Sequence, residues 1–211
     1  MSCEVEAKKQ FRKEALREMK KQSKPLQGLV ILHTRRLLKR LKAKKVLVFI
    51  PLKDEADVLK LCGGQTKLRC EFFSTFMQNQ SLKIVKLNRP FSKAAFGVRQ
   101  SSAKCEFRGK LDTAIVPCVG VDGAWARVGR GMGFYDRLFE RLKRQKRRLN
   151  VIFVGGVKTN KVISQHHDLV GDFYITPHKV FQRTKNVGSF SGSCRVGSGW
   201  DRRWRFHHKA Q

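Results

Sequence analysis

The segment Val128-Gly129-Arg130-Gly131-Met132-Gly133-Phe134-Tyr135-Asp136 carries the residue types of an anion-binding loop. Glycines at alternate positions permit positive φ and let an anion approach backbone N–H groups closely. Arg130 stands between them, and Asp136-Arg137-Leu138-Phe139-Glu140-Arg141-Leu142 follows with amphipathic helical spacing. The loop then ends at the positive end of a helix dipole. Asp136, in the first turn of that helix, is placed to hold a magnesium ion bridging phosphates. No Gly-Lys-Ser/Thr follows, so this is not a Walker A loop. Alternating glycines also suit a plain strand-to-helix turn, and the segment alone leaves both readings open.

Three further groups bear on chemistry. Lys8 and Arg12, four apart in a run of helix formers, share one helix face. They form either a cationic clamp or a solvated basic face. Asp54 and Glu55 follow directly on the apolar run Val46-Leu47-Val48-Phe49-Ile50-Pro51. Carboxylates just past a buried strand either serve a ligand or cap the next helix. His166-His167-Asp168 is a compact set of metal-ligand types that equally suits a polar turn. The six cysteines are scattered, with no C-x-x-C pair, and read as reduced structural thiols.

The elements that must position these residues follow from periodicity. Phe11, Ala15, Leu16 and Met19 predict a helix over 8–22, and Leu29, Leu32, Leu37, Leu38 and Leu41 a second helix after Pro25. The run 46–51 predicts a buried strand, with a short helix opening at Asp54 and running through Leu61. Further strands are expected at 82–87, 112–117, 151–154 and 173–176, and a helix over 136–147; 89–110 reads as loop. Asp122-Gly123 marks a tight turn leading into the glycine loop. Strands alternating with helices indicate an α/β fold: a single three-layer, Rossmann-like domain, its mostly parallel central sheet flanked by helices. The expected domain is 1–177. Residues 178–211, rich in Gly and Ser and then in Trp and Arg, read as a flexible basic tail.

The chain has 211 residues, 46 Lys and Arg against 16 Asp and Glu, and a net charge of +30 spread along its length. Such a field attracts nucleic acid and also steers small polyanions such as nucleotides into a cleft. No zinc finger, RNP motif, GXXG loop or repeat is present. No apolar run is long enough to span a membrane, and Met1 to Lys45 has no signal-peptide core, so a cytoplasmic address is expected.

Taken in order, these motifs resemble the 5-formyltetrahydrofolate cyclo-ligase family, also called methenyltetrahydrofolate synthetases. The resemblance is carried by the Lys8-x-x-x-Arg12 helix, by Phe49-Ile50-Pro51 with Glu55, and by Asp112-x-x-Ile115-Val116-Pro117. It continues through the loop from Arg127 to Arg137 and His167-Asp168-x-x-x-Asp172-x-x-Ile175-Thr176. It covers about residues 8–177. Met132 departs from the lysine or glycine that many members carry there.

The resemblance implies ATP- and magnesium-dependent closure of 5-formyltetrahydrofolate to 5,10-methenyltetrahydrofolate, releasing ADP and phosphate. The formyl oxygen is phosphorylated, N10 attacks the formyl carbon, and phosphate leaves. Carried onto this chain, Lys8, Arg12, Arg127 and the loop Gly129, Arg130, Gly131, Met132, Gly133, Phe134 and Tyr135 would hold ATP. Arg130, Tyr135 and Glu55 would be catalytic, Arg130 neutralising the γ-phosphoryl. Ile50, Glu55 and Phe96 would line the folate pocket, and Asp136 and Asp168 would hold magnesium. The implied partners are 5-formyltetrahydrofolate and ATP, without a membrane, for a protein expected to be a monomer. The alternative is a basic nucleic-acid-binding protein on the same scaffold, its Trp200/Trp204 tail stacking on bases.

Overall fold

The computed structural model describes residues 3–21, 24–63, 68–79, 81–93, 97–144 and 149–184. In chain order the elements are α1 (Cys3–Lys21), α2 (Lys24–Arg40), β1 (Lys45–Val48), a 3-10 turn (Val58–Leu61), β2 (Glu71–Gln78) and β3 (Ser81–Lys86). Then follow β4 (Ser92–Lys93), β5 (Arg99–Gln100), β6 (Thr113–Pro117), β7 (Gly120–Val121), β8 (Arg127–Val128) and α3 (Phe134–Arg144). The last elements are β9 (Asn150–Val154), β10 (Val157–Lys158), β11 (Phe173–Ile175) and β12 (Val180–Gln182).

Seven strands form the main sheet in the order β12-β11-β9-β6-β1-β2-β3. The five inner strands are parallel, and β3 and β12 close the edges antiparallel. The parallel strands β2-β1-β6-β9-β11 therefore have the doubly wound order 2-1-3-4-5. From β1 the chain winds outward to one side, then returns to β6 on the other. Connections diverge between β1 and β6, so a crevice must open beyond the carboxyl ends of those two strands.

Side chains alternate across the sheet as the pleat requires. Val46, Val48, Ile115, Ile152, Val154, Phe173 and Ile175 face α2, where Val30, Ile31, Leu37 and Leu38 meet them. Leu47, Ala114, Val116, Val151, Phe153 and Tyr174 face the opposite layer, formed by Leu138, Phe139 and Leu142 of α3. Each fully buried aliphatic or aromatic side chain here contributes about 1.5–3 kcal/mol. The three-layer α/β expectation holds. Helix α1 lies apart from both layers, with Ala15 and Met19 packed on Val119 just past the end of β6.

Several local expectations are corrected. Strand β2 is not among the expected strands, since Phe72-Phe73-Ser74-Thr75-Phe76-Met77 groups apolar and polar residues in pairs and shows no strand alternation; it lies beside β1 and supplies one wall of the crevice. The segment 89–110 is not wholly loop, since β4 and β5 pair within it. The helix expected to open at Asp54 begins only at Val58, leaving Asp54 and Glu55 on a turn facing the crevice. Strand β12 carries the sheet past residue 177; residues 185–211 of the expected tail lie outside the described residues.

The Asp122-Gly123 turn joins β7 to β8 and is pinned by a buried carboxylate. Asp122 Oδ1 accepts the Ala124 and Ala126 N–H groups at 2.9 Å, and Oδ2 accepts those of Ile163 and Ser164 at 3.0 Å. One fully buried side chain thus ties the hairpin before the glycine loop to a segment some 40 residues later. Asp122→Ala leaves these donors unmet and is expected to lower stability by about 3–4 kcal/mol, read from urea denaturation.

Candidate active site

A cleft of about 190 Å³ opens at the switch point. Phe49, Ile50, Leu52 and Glu55 line it after β1, Pro117 and Cys118 at the end of β6, and Thr75 and Met77 from β2. Arg127 and the loop residues Gly129, Arg130, Met132, Gly133, Phe134 and Tyr135 form a facing wall, and Leu82, Val98, Arg99 and Val119 complete the lining.

The glycines of the loop answer two different demands. Gly131 and Gly133 turn the chain with φ of +101° and +65°. Gly129 instead makes room: a Cβ there would lie 2.1 Å from Arg127 Nη1. Helix α3 starts directly after the loop, with Arg137 N–H donating to the Gly133 carbonyl at 3.1 Å. Phe134 and Tyr135 thus belong to its first turn, two residues earlier than the expected start.

Arg127 is the buried cation of the site, only 6% exposed. Its Nη1 donates to the Pro117 carbonyl at 3.5 Å, its Nη2 lies 3.6 Å from Asp136 Oδ2, and its guanidinium sits 5.3 Å from the Tyr135 ring centre. Its Nε is buried with no acceptor among the described residues. Asp136 in turn accepts the Leu169 N–H at 3.4 Å, one residue from Asp168.

Helix α1 supplies two cations to the far side of the loop. Arg12 Nε donates to the Gly129 carbonyl at 2.9 Å, and Lys8 Nζ binds Asp168 Oδ1 and Oδ2 at 2.7 and 2.5 Å. Asp168 also accepts the Gln165 N–H at 2.7 Å. Lys8, Lys9 and Arg12 line a second cavity of about 250 Å³ with Val5, Ile163 and Gln165. Two cavities therefore flank the glycine loop, the outer one basic and the inner one largely apolar.

On the inner side Arg130 reaches across to the turn after β1. Its Nη2 lies 2.7 and 2.8 Å from the two Asp54 oxygens, and its Nε 3.3 Å from Glu55 Oε1. Burial works against the Arg130 charge, but Asp54 and Glu55 outweigh it and raise the pKa. Burial raises the Glu55 pKa, and the Leu52 N–H (3.0 Å to Oε2) and Arg130 offset this only in part. Burial likewise pushes Tyr135 and Cys118 up to about 12, so both stay protonated at neutral pH. The Cys118 thiol donates to the Gly155 carbonyl at 3.2 Å and offers no thiolate.

The structure thus gathers Ile50, Glu55, Arg127 and the glycine loop around one cleft. It puts Lys8, Arg12 and Asp168 on the loop's other side, with Asp136 close by. Phe96 lies outside the described residues. His166 and His167 meet edge to face on a turn, and among the described residues no group of three metal-ligand side chains exists. Also among the described residues, no helix is long and apolar enough to cross a membrane. Asp54, flagged in the sequence beside Glu55 without a role in the site, holds Arg130 at the cleft's edge, and Thr75 and Met77 are cleft residues that the sequence reading does not contain. These two lie on β2, which the sequence pattern does not mark as a strand.

A doubly wound sheet with a cation-lined glycine loop at its switch point is the architecture of phosphate- and nucleotide-binding α/β proteins. Comparison with known proteins narrows the class. The profile of the 5-formyltetrahydrofolate cyclo-ligase family matches residues 4–168, and the chain belongs to that family. It is thereby an enzyme, an ATP-dependent cyclo-ligase. No curated protein matches the sequence significantly. Its fold is similar to the NMR structure of Aquifex aeolicus 5,10-methenyltetrahydrofolate synthetase, with a TM-score of 0.66 and 22% identity over 87% of this chain and 96% of that one. It is also similar to a 5,10-methenyltetrahydrofolate synthetase from Mycoplasma pneumoniae, with a TM-score of 0.58 and 17% identity over 81% and 98%.

A raised Glu55 pKa has a measurable consequence. The folded state favours the protonated acid, so this residue's contribution to stability declines as pH rises from the ordinary 4.5 through the raised value. Glu55→Gln removes the ionisation. Its Tm is expected to gain on wild type as pH is raised from about 4 to about 8, read by differential scanning calorimetry. A Tm difference independent of pH would contradict the raised value.

Proposed function

We propose that this chain uses ATP and magnesium to convert 5-formyltetrahydrofolate to 5,10-methenyltetrahydrofolate, with ADP and phosphate as the other products. The observation that carries the reading is the pair of arginines on one glycine loop, Arg12 on the Gly129 carbonyl and Arg127 buried beneath Gly129, with Lys8 beside Arg12 in the cavity on the far side. The buried Arg127 Nε has no acceptor among the described residues, and a phosphate oxygen is the acceptor that a buried guanidinium suits best.

The loop and its cations hold the triphosphate, and the apolar inner cleft takes the folate ring system between Ile50 and Phe134. The formyl oxygen then attacks the γ-phosphorus, and the bond to the ADP oxygen breaks. N10 adds to the formyl carbon and loses its proton. The C–O bond to phosphate breaks, and its electron pair leaves with phosphate. Phosphorylation is needed because an amide oxygen is a poor leaving group. The chain's share is positioning and charge neutralisation: Arg127, Arg130 and loop N–H groups surround the transferring phosphoryl. Glu55, partly desolvated, orients the folate and accepts the proton that N10 gives up. Protonated Tyr135 donates to a phosphate oxygen.

Asp136 and Asp168 fit a magnesium ion, which takes one or two carboxylates and fills its remaining positions with phosphate oxygens and water. The backbone N–H of Leu169, the residue after Asp168, donates to Asp136 Oδ1. Bound there, the ion would neutralise charge on the phosphates. Asp168 is held by Lys8 in this structure, so Lys8 exchanges the carboxylate for a phosphate oxygen on binding.

The test is the near-ultraviolet absorbance of methenyltetrahydrofolate forming from 5-formyltetrahydrofolate with magnesium and with or without ATP. ATP-dependent product is expected. Arg12→Met, which removes one charge-assisted contact, should lower kcat/KM for ATP by roughly 10- to 100-fold with the circular dichroism unchanged. Folded protein that binds ATP without making product would overturn the folate assignment. Failure to bind ATP as well would favour the nucleic-acid reading, in which affinity falls steeply with salt.

A further inference from the structure

We infer that Arg130, Asp54 and Glu55 form a latch across the inner cleft that couples nucleotide binding to folate binding, with Asp54 as its positioning residue. The inference rests on the proposed reading in which the glycine loop takes ATP and Glu55 takes folate.

The contact joins the two walls of the cleft, the glycine loop and the turn after β1. Arg130 Nη2 lies within 2.8 Å of both Asp54 oxygens, and Nε 3.3 Å from Glu55 Oε1. The second Glu55 oxygen already accepts the Leu52 N–H. With this contact closed, two groups proposed for two different ligands occupy each other. Arg130 cannot present its Nε–Nη2 edge to a phosphate, and Glu55 has no oxygen without a donor. With it open, both are released together. A ligand that draws Arg130 away therefore prepares Glu55 for the other ligand, and linkage requires the reverse to hold equally.

Magnitudes favour a latch over a permanent brace. Side-chain exposure is 35% for Arg130 and 21% for Asp54. Water reaches the pair at this exposure and screens it, so the contact can be exchanged for another partner. A polyphosphate carries more charge than either carboxylate and outcompetes them for the guanidinium. Glu55, at 10% exposure, loses most when the contact opens, because a buried carboxylate freed of Arg130 needs another donor, which a bound folate would supply. In this arrangement Asp54 touches neither ligand; it acts by holding the guanidinium over Glu55.

Calorimetric titrations of 5-formyltetrahydrofolate, with and without saturating magnesium and a non-hydrolysable ATP analogue, test this. In wild type each ligand is expected to tighten the other's Kd by the same factor, roughly 5- to 20-fold. Asp54→Asn keeps the side-chain shape but loosens the hold on Arg130. Each ligand alone should then bind more tightly than to wild type, and the mutual factor should shrink toward one, while Tm stays near wild type. Asp54→Glu should restore the factor in part. Independent binding in wild type, or an undiminished factor in Asp54→Asn, would overturn the latch while leaving the enzymatic assignment standing. Failure of wild type to bind either ligand would overturn both.

Discussion

A guanidinium buried at the carboxyl edge of the sheet is the interaction on which the site's construction depends. Removing a cation from water costs several kcal/mol unless its surroundings replace the lost solvation. Arg127 is compensated by a strand-end carbonyl, a carboxylate in the first turn of α3 and the face of Tyr135. Those partners come from β6 and α3, so meeting the charge also fixes where the helix begins relative to the sheet. Gly129 is bound into the same arrangement, since any side chain there would collide with the guanidinium. The position of the loop thus follows from the burial of one charge.

The remaining electrostatics repeat the theme. In a chain with only 16 acidic residues against 46 basic ones, Asp54, Glu55, Asp136 and Asp168 all stand against cations of the site. Four cations around one loop would repel one another strongly at low effective dielectric. Interleaved carboxylates hold them close together, and each such contact can be exchanged for a phosphate oxygen or a metal. The excess charge elsewhere on the chain adds a long-range field that draws polyanions toward this region.

How much of this was legible in the sequence depends on the range of each interaction. The glycine loop, the helix carrying Lys8 and Arg12, and the strand ending at Ile50 were all readable, because periodicity and glycine spacing act over a few residues. Strand β2 is not readable in this way, because its run pairs apolar with apolar and polar with polar residues and does not alternate, and with it go Thr75 and Met77, which stand in the cleft. In the sequence, Gly129 has a turn or an approaching anion as its reason, whereas in the structure the missing side chain makes room for the Arg127 guanidinium. Asp122 was read as a turn residue only; its hold on Ile163 and Ser164 depends on a loop that the local pattern does not bring near.

The α/β class, the order of most elements and the identity of the residues able to bind anions were set locally, by hydrophobic period, glycine placement and residue chemistry. Which cation meets which carboxylate was not. Lys8 and Asp168 are 160 residues apart, and Arg130 is 75 from Glu55. Such pairs form only after the doubly wound sheet has stacked its strand ends in the order 2-1-3-4-5 and left a crevice at the switch. The reason is physical: a charge senses its partner through the low-dielectric, water-poor space the fold creates, and that space does not exist along an extended chain.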